Sequence, residues 1–237
     1  MAAPDSAPRR RGPSPPVAFY LASYNLLALL GWVYVDALLL RHFAAHGLRA
    51  PELVFDAVAP ALRPLQAAAL LEVAHALLGL VPSSAFVAFV QVGARLLVLL
   101  AFADVARPAQ THWAAGVMLC AWAAIEVPRY AFYLAGGERA PHWLVWLRYS
   151  LSIILYPFGI AGEWITIYNS LDAIREGRLL SAAMPNAWNV RYDHYLAGLF
   201  ALFVLYPPAS VFMIASMWRA RRKALAKLNG VGEQKEE

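Results

Sequence analysis

Two side chains that can exchange protons, Tyr156 and Glu163, lie within one long apolar segment of the chain. Their spacing is close to two turns of an α-helix, so both face the same side, with Cα atoms about 10 Å apart along the axis. A carboxylate at membrane depth costs about 2.5 to 3.5 kcal/mol, and such groups usually face a bundle interior or a cavity. The pair therefore predicts an acid/base site. The alternative is that Glu163 makes only a hydrogen bond between packed helices.

The composition indicates that a membrane surrounds this pair, because 61% of the 237 residues are hydrophobic and only 15% are charged. Successive apolar segments are each close to the roughly 20 residues that cross a hydrocarbon core, and they are too long and continuous for barrel strands. We therefore predict an all-α membrane protein, built as a six-transmembrane-helix bundle. The segments are Val17–Leu40, Leu62–Leu80, Ala85–Ala103, Trp113–Leu134, Trp143–Tyr168 and Tyr195–Met217.

The second segment is the least regular of the six. Glu72 and His75 interrupt it, and Pro60 and Pro64 make its start ambiguous. Without it the chain would have five spans, and its ends would lie on opposite sides of the membrane. His75 is itself a candidate acid or base, although a single histidine in a helix is more often a hydrogen-bonded core residue.

Basic residues near the two ends of the chain indicate its orientation. The net charge of +5 comes largely from Arg9, Arg10 and Arg11 and from a cluster between Arg219 and Lys227, which fits membrane flanks and does not indicate nucleic acid. The positive-inside rule predicts that both termini are cytosolic. Several other arginines would then face the lumen: Arg41, Arg49, Arg175, Arg178 and Arg191.

The same patterns divide the chain into three regions. Residues 1–16 lack helical periodicity and are rich in proline, alanine and arginine, so we expect a disordered N-terminal segment. Residues 17–219 form the six-helix transmembrane catalytic domain. Residues 220–237 form a basic and then charged cytosolic tail, which we expect to be disordered beyond Lys227.

Several kinds of catalysis lack the residues that they need. Cys120 is the single cysteine, so the chain has no intrachain disulfide and no cysteine-based zinc site, and we expect Cys120 to pack in the core. A phosphatase-type cysteine needs an arginine six positions later, where this chain has Glu126. The chain also has no HExxH pair, no glycine-rich phosphate loop and no G-x-S-x-G elbow. We therefore predict no metal site and no nucleotide hydrolysis.

The remaining polar residues of the spans recur at helical spacings, as in Gln91 and Arg95 or Glu126 and Tyr130. They predict polar stripes that face the bundle interior. One interpretation is structural, with buried ion pairs that join Glu126 to Arg129 and Glu72 to a nearby arginine. The other is that the set lines a solvated or substrate-filled cavity.

The ordered motifs of the chain resemble one family. They are Leu71-Glu-Val-Ala-His75, Val90-Gln-Val-Gly-Ala-Arg95, Glu126-Val-Pro-Arg-Tyr130, Trp146-Leu-Arg-Tyr149 and Leu155-Tyr-Pro-Phe-Gly159 followed by Glu163. Between about Val17 and Arg219 the chain is similar to the very-long-chain (3R)-3-hydroxyacyl-CoA dehydratases, first called protein tyrosine phosphatase-like, which include the plant PASTICCINO-type members. The resemblance implies a six-span endoplasmic-reticulum enzyme that performs the third step of fatty acid elongation.

The resemblance also implies site residues and partners. The family's catalytic tyrosine and glutamate match Tyr156 and Glu163. The expected partners are the 3-hydroxyacyl-CoA substrate, membrane lipid, and the condensing enzyme and the ketoacyl and enoyl reductases of elongation. From the polar stripes and the orientation, we also expect Gln91, Arg95, Arg129, Arg148 and Tyr149 to bind the substrate, since arginines near a cytosolic cavity mouth would attract CoA phosphates.

The implied reaction suits the two residues. Dehydration of a β-hydroxyacyl thioester removes a proton from the α-carbon and protonates the departing hydroxyl, so two positioned groups suffice without a cofactor. We favour Glu163 as the base and Tyr156 as the acid, and the reverse assignment stays open. Pro157 and Gly159 are expected to bend the helix and bring the two groups closer together.

Two functions of other classes compete with an enzyme. A non-enzymatic membrane scaffold of the elongation complex would use Tyr156 and Glu163 only for packing. A proton-coupled transporter would use buried carboxylates and arginines as a relay, but the chain has no convincing internal repeat of the kind that such folds often show.

Overall fold

Six long apolar helices form the body of the protein in a computed structural model that describes residues 14–47 and 53–233. The elements are α1 (Pro15–His46), α2 (Val54–Ala68), α3 (Leu70–Leu77), α4 (Ala85–Leu96), α5 (Arg107–Thr111), α6 (Trp113–Leu134), α7 (His142–Gly177), α8 (His194–Phe200) and α9 (Tyr206–Glu233). The spans are α1, the α2–α3 pair, α4 with its extension to Ala103, α6, α7, and α8 continuing into α9. The predicted six-helix membrane bundle is confirmed.

The second span differs from its prediction at its beginning. It starts at Val54, eight residues before the predicted Leu62, because Pro60 and Pro64 lie inside α2 without ending it. It is built from two helices that meet at Ala69. The alternative of five spans is therefore wrong.

The ends of the chain also differ in detail from the prediction. The first helix begins at Pro15, where a proline fits the first helical position because its missing N–H would have no partner there. The last helix continues to Glu233, whereas we expected disorder beyond Lys227; its alanine, leucine and lysine residues favour helix. Arg9, Arg10, Arg11 and Arg49 lie outside the described residues. The cytosolic placement of the termini stays a prediction.

Two spans contain a widened, π-helical stretch. Leu97–Ala103 continues α4, and Ala201–Leu205 separates α8 from α9. The second stretch comes directly before Tyr206 and the pair Pro207 and Pro208, which have no backbone N–H to donate to the preceding turn. A π-helical turn changes the direction in which the following side chains point around the helix axis, and here the first residue that follows is Tyr206.

The fourth span, α6, lies at the centre of the bundle and packs against both α1 and α7. Its buried face contains many small residues, including Ala114, Ala115 and Ala121, which let neighbouring backbones approach closely. Helix α7 approaches α6 closely at Gly162, where an added Cβ atom would lie 2.9 Å from the Met118 backbone nitrogen and 3.0 Å from the Ala114 carbonyl oxygen. Both α6 and α7 are continuous helices despite internal prolines at 128 and 157.

We expect Gly162→Ala to lower the stability of the protein, because backbone atoms of α6 leave no space for the added methyl group. Overpacking of this kind costs about 1 to 3 kcal/mol. Thermal unfolding in detergent would measure the change. The matched control is Gly93→Ala in α4, whose Cβ would have no neighbour within 4 Å among the residues that the structure describes and which should leave the melting temperature unchanged or raise it. Equal melting temperatures for the two variants would contradict the prediction.

Candidate active site

Glu163 lies on α7 with its side chain buried between α6 and α9. The Trp122 indole Nε1–H donates to Oε1 at 2.7 Å, and the Tyr206 hydroxyl donates to Oε2 at 2.6 Å. An indole N–H can only donate, so Oε1 is held as an acceptor. The residue is 8% exposed. Glu163 is therefore rigidly oriented by two aromatic side chains.

Tyr156 lies two turns earlier on the same helix and has a different kind of partner. The Gln91 Nε2 amide donates to the Tyr156 hydroxyl oxygen at 3.1 Å. Because this bond uses an oxygen lone pair, the phenolic proton stays free to be donated elsewhere. The predicted same-side arrangement is confirmed, since Tyr156 and Glu163 line one cavity.

The cavity between these two residues, called the apolar cavity here, has a volume of about 60 Å³. Between its polar groups its walls are mainly aliphatic, contributed by α4, α7 and α9: Val90, Ala94, Ile160, Ala209 and Met213. Such a space suits hydrocarbon more than a charged ligand.

A second cavity of about 30 Å³, called the polar cavity, adjoins the first. Gln91, Arg95, Ile125 and Tyr156 line both, so Tyr156 stands at their boundary. The other lining residues of the polar cavity are mostly polar or charged: Gln66, Ala69, Glu72, Val92, Glu126, Arg129, Arg148 and Met217. The two cavities therefore give Tyr156 an apolar side and a polar side.

An ion-pair network forms one wall of the polar cavity. Arg129 donates to both oxygens of Glu72, at 2.5 and 2.8 Å, and to Glu126 at 2.6 Å. Arg95 donates to the other Glu126 oxygen, and Tyr130 donates to Glu72. Both predicted ion pairs are confirmed. Two guanidinium groups thus balance two carboxylates in a buried region, as charges at membrane depth require.

The predicted substrate-binding residues fall into three groups. Gln91, Arg95 and Arg148 line cavities, and Gln91 contacts Tyr156 directly. Arg129 also lines the polar cavity but is engaged by Glu72 and Glu126. Tyr149 lines neither cavity and packs edge-on against Phe132, with ring centroids 5.9 Å apart.

His75 is buried, and its Nε2 hydrogen-bonds the Tyr20 hydroxyl at 2.8 Å, away from both cavities. The interpretation of His75 as a hydrogen-bonded core residue is confirmed. Cys120 packs against the apolar core, also as expected. Among the described residues no group of three or more His, Cys, Asp or Glu side chains could hold a metal ion.

Sequence reasoning missed three residues of the site: Trp122, Tyr206 and Gln66. Trp122 and Tyr206 orient Glu163 from other helices. Gln66 is buried in the wall of the polar cavity. Each had a signal in the sequence: Trp122 and Tyr206 are aromatic residues with a polar group inside apolar spans, and Gln66 is an amide inside the second apolar segment.

Comparison with known proteins gives a consistent result. The family model described as "Protein tyrosine phosphatase-like protein, PTPLA" matches residues 66–227. The chain is 33% identical over 207 residues to very-long-chain (3R)-3-hydroxyacyl-CoA dehydratase 1 of Mus musculus, covering 87% of this chain and 73% of the relative. It is 34% identical over 216 residues to very-long-chain (3R)-3-hydroxyacyl-CoA dehydratase PASTICCINO 2 of Arabidopsis thaliana, covering 88% and 93%. No solved structure matches the chain.

We expect Arg129→Met to destabilise the protein strongly, because it leaves Glu72 and Glu126 without their shared cation. Loss of one partner from a buried ion pair costs about 3 to 5 kcal/mol. The measurement is thermal unfolding in detergent. Arg63→Met is the control, because Arg63 pairs with Asp104 at 2.7 Å with its side chain 45% exposed, where a pair is worth about 1 kcal/mol or less. Similar losses in both variants would argue against a stabilising network.

Proposed function

Because this chain belongs to the protein tyrosine phosphatase-like (PTPLA) family, we propose that it removes water from long-chain (3R)-3-hydroxyacyl-CoA to give trans-2-enoyl-CoA. The observation that carries the proposal is the hydrogen bonding of the two proton-handling groups that line one cavity. Glu163 accepts hydrogen bonds on both oxygens, whereas Tyr156 keeps a proton to donate. A dehydratase needs one group of each kind.

Glu163 is the proposed base. In the reaction its carboxylate takes the proton from the α-carbon of the thioester, and the C–H electron pair moves toward the β-carbon to form the double bond. Trp122 and Tyr206 each donate a hydrogen bond to one carboxylate oxygen, and these two bonds limit the rotation of the carboxylate. Preorganisation of this kind lowers the cost of reaching the reactive geometry.

Tyr156 is the proposed acid. As the bond from the β-carbon to oxygen breaks, the phenol gives its proton to the departing oxygen, which leaves as water. The Gln91 amide donates to the phenol oxygen and stabilises the charge that develops on it. The proton taken by Glu163 replaces the one lost by Tyr156 before the next turnover, so the cycle needs no cofactor.

The arrangement of the two cavities supports a direction for the substrate. The apolar cavity suits the acyl chain, and the polar cavity adjoins the end of the bundle where α7 begins and where Arg139 and His142 are exposed. We propose that the CoA moiety enters at this end, from the cytosol, with Arg148 near its path. The proposed location is the endoplasmic reticulum membrane, together with the condensing enzyme and reductases of elongation.

Tyr156→Phe and Glu163→Gln should each lower kcat/KM for a long-chain (3R)-3-hydroxyacyl-CoA by 10²-fold or more, because each removes one proton-transfer step at nearly constant volume. The assay measures enoyl-CoA formation by purified protein in detergent. The wild-type protein should need no added cofactor.

The matched control for both variants is Tyr168→Phe on the same helix, since Tyr168 is 57% exposed and lines neither cavity. It should retain wild-type activity. An inactive wild-type protein that is folded, tested across chain lengths, would overturn the proposal and favour a scaffold. Flux that depends on a proton gradient in proteoliposomes would instead favour a transporter.

Arg148→Ala should raise KM for the CoA substrate several-fold, because Arg148 is proposed to contact the substrate but not to transfer a proton. Arg148 donates to Ser152 at 2.7 Å and forms no ion pair among the described residues, so its charge is available to a ligand. Steady-state kinetics would separate the two constants. An unchanged KM would rule out this contact.

A further inference from the structure

Gln66 on α2 is the most unusual polar group of the polar cavity. It is 1% exposed, and among the described residues neither its amide oxygen nor its amide nitrogen has a hydrogen-bond partner. Buried polar groups are nearly always paired, because an unpaired one keeps the cost of leaving water without compensation. A buried amide without a protein partner in a cavity wall indicates that a bound ligand completes its hydrogen bonds.

The surroundings of Gln66 narrow the chemistry of that ligand. Arg95 and Arg129 are compensated by Glu72 and Glu126, but Arg148, in the same cavity wall, has no carboxylate partner among the described side chains. The polar cavity therefore combines an unpaired amide with an uncompensated cation. Such a pair of donors suits an oxygen that carries partial negative charge.

The proposed reaction generates an oxygen of this kind. When the α-proton is removed, negative charge moves onto the thioester carbonyl oxygen, and donors aimed at that oxygen lower the barrier. We propose that the Gln66 amide N–H, together with Arg148, binds the thioester carbonyl oxygen of the substrate. This inference rests on the proposed function, because it assigns a residue to one atom of the proposed substrate.

The assignment fixes how the substrate lies. The thioester occupies the polar cavity, the acyl chain occupies the apolar cavity, and the reacting carbons lie at the boundary, where Tyr156 is found. Glu163 is reached from the apolar side. The alternative occupant of the polar cavity is the water that the reaction releases, and the test separates the two.

The test compares two non-reacting ligands of equal chain length. One is a saturated long-chain acyl-CoA, which has the carbonyl oxygen; the other is the S-alkyl-CoA thioether, which lacks it. We expect wild-type protein to bind the thioester at least tenfold more tightly. In Gln66→Met, which keeps a similar volume without the amide, this preference should fall by about tenfold, the effect of one hydrogen bond. Its kcat should fall by about 10²-fold.

Thr166→Val is the matched control. Thr166 is also fully buried, and its hydroxyl has no hydrogen-bond partner in the described part of the chain, but it lines neither cavity, so this variant should keep the wild-type ligand preference and activity. The melting temperature of Gln66→Met should equal or exceed that of the wild type, because an unpaired amide is removed. If this variant does not fold, Gln66→Leu replaces it in the same comparison.

Each outcome bears on a different statement. Wild-type protein that turns over hydroxyacyl-CoA but binds thioester and thioether equally would overturn the assignment of Gln66 while leaving the dehydratase proposal intact. If Gln66→Met still prefers the thioester over the thioether, the assignment of Gln66 to the carbonyl oxygen is also overturned. If this variant keeps the preference but loses turnover, the ligand of Gln66 is instead the released water. Wild-type protein that neither binds nor turns over acyl-CoA would remove both proposals.

Discussion

Buried charges inside an apolar bundle are costly unless they are paired, and much of this protein's arrangement follows from that cost. Arg129 on α6 donates to Glu72 of the second span and to Glu126 of its own helix, while Arg95 of the third span reaches the same Glu126. One network therefore joins three spans. Because each charge has its partner on a specified helix turn, the network also sets the rotation of these helices about their axes.

The balance within this network separates structural charge from charge that is free to bind a ligand. Its arginines and carboxylates compensate one another, whereas Arg148 and the amide of Gln66 face the same cavity, and within the described ranges Arg148 has no carboxylate partner and the amide has no hydrogen-bond partner. Glu163 lies outside the network and is held by neutral donors. A carboxylate without a paired cation can exchange a proton without breaking a salt bridge, which suits the role proposed for it.

The geometry around Glu163 depends on the close contact between α6 and α7. Small residues on α6 and Gly162 on α7 let the two backbones approach, and Trp122 then reaches the carboxyl group that follows Gly162. Tyr206 arrives from the sixth span, directly after its π-helical stretch. The proposed base is therefore held by side chains from rigid helices, the kind of support that keeps a reactive group within a narrow range of positions.

The sequence by itself predicted most of the span boundaries and the common face of Tyr156 and Glu163, and it favoured six spans over five, because apolar length and helical periodicity are local properties. Only the tertiary structure decided that Trp122 and Tyr206 hold Glu163 and that Gln66 borders the polar cavity. It also decided which arginine meets which carboxylate. These contacts join residues of different spans, so they depend on how the helices rotate and pack, which the pattern within one helix does not specify.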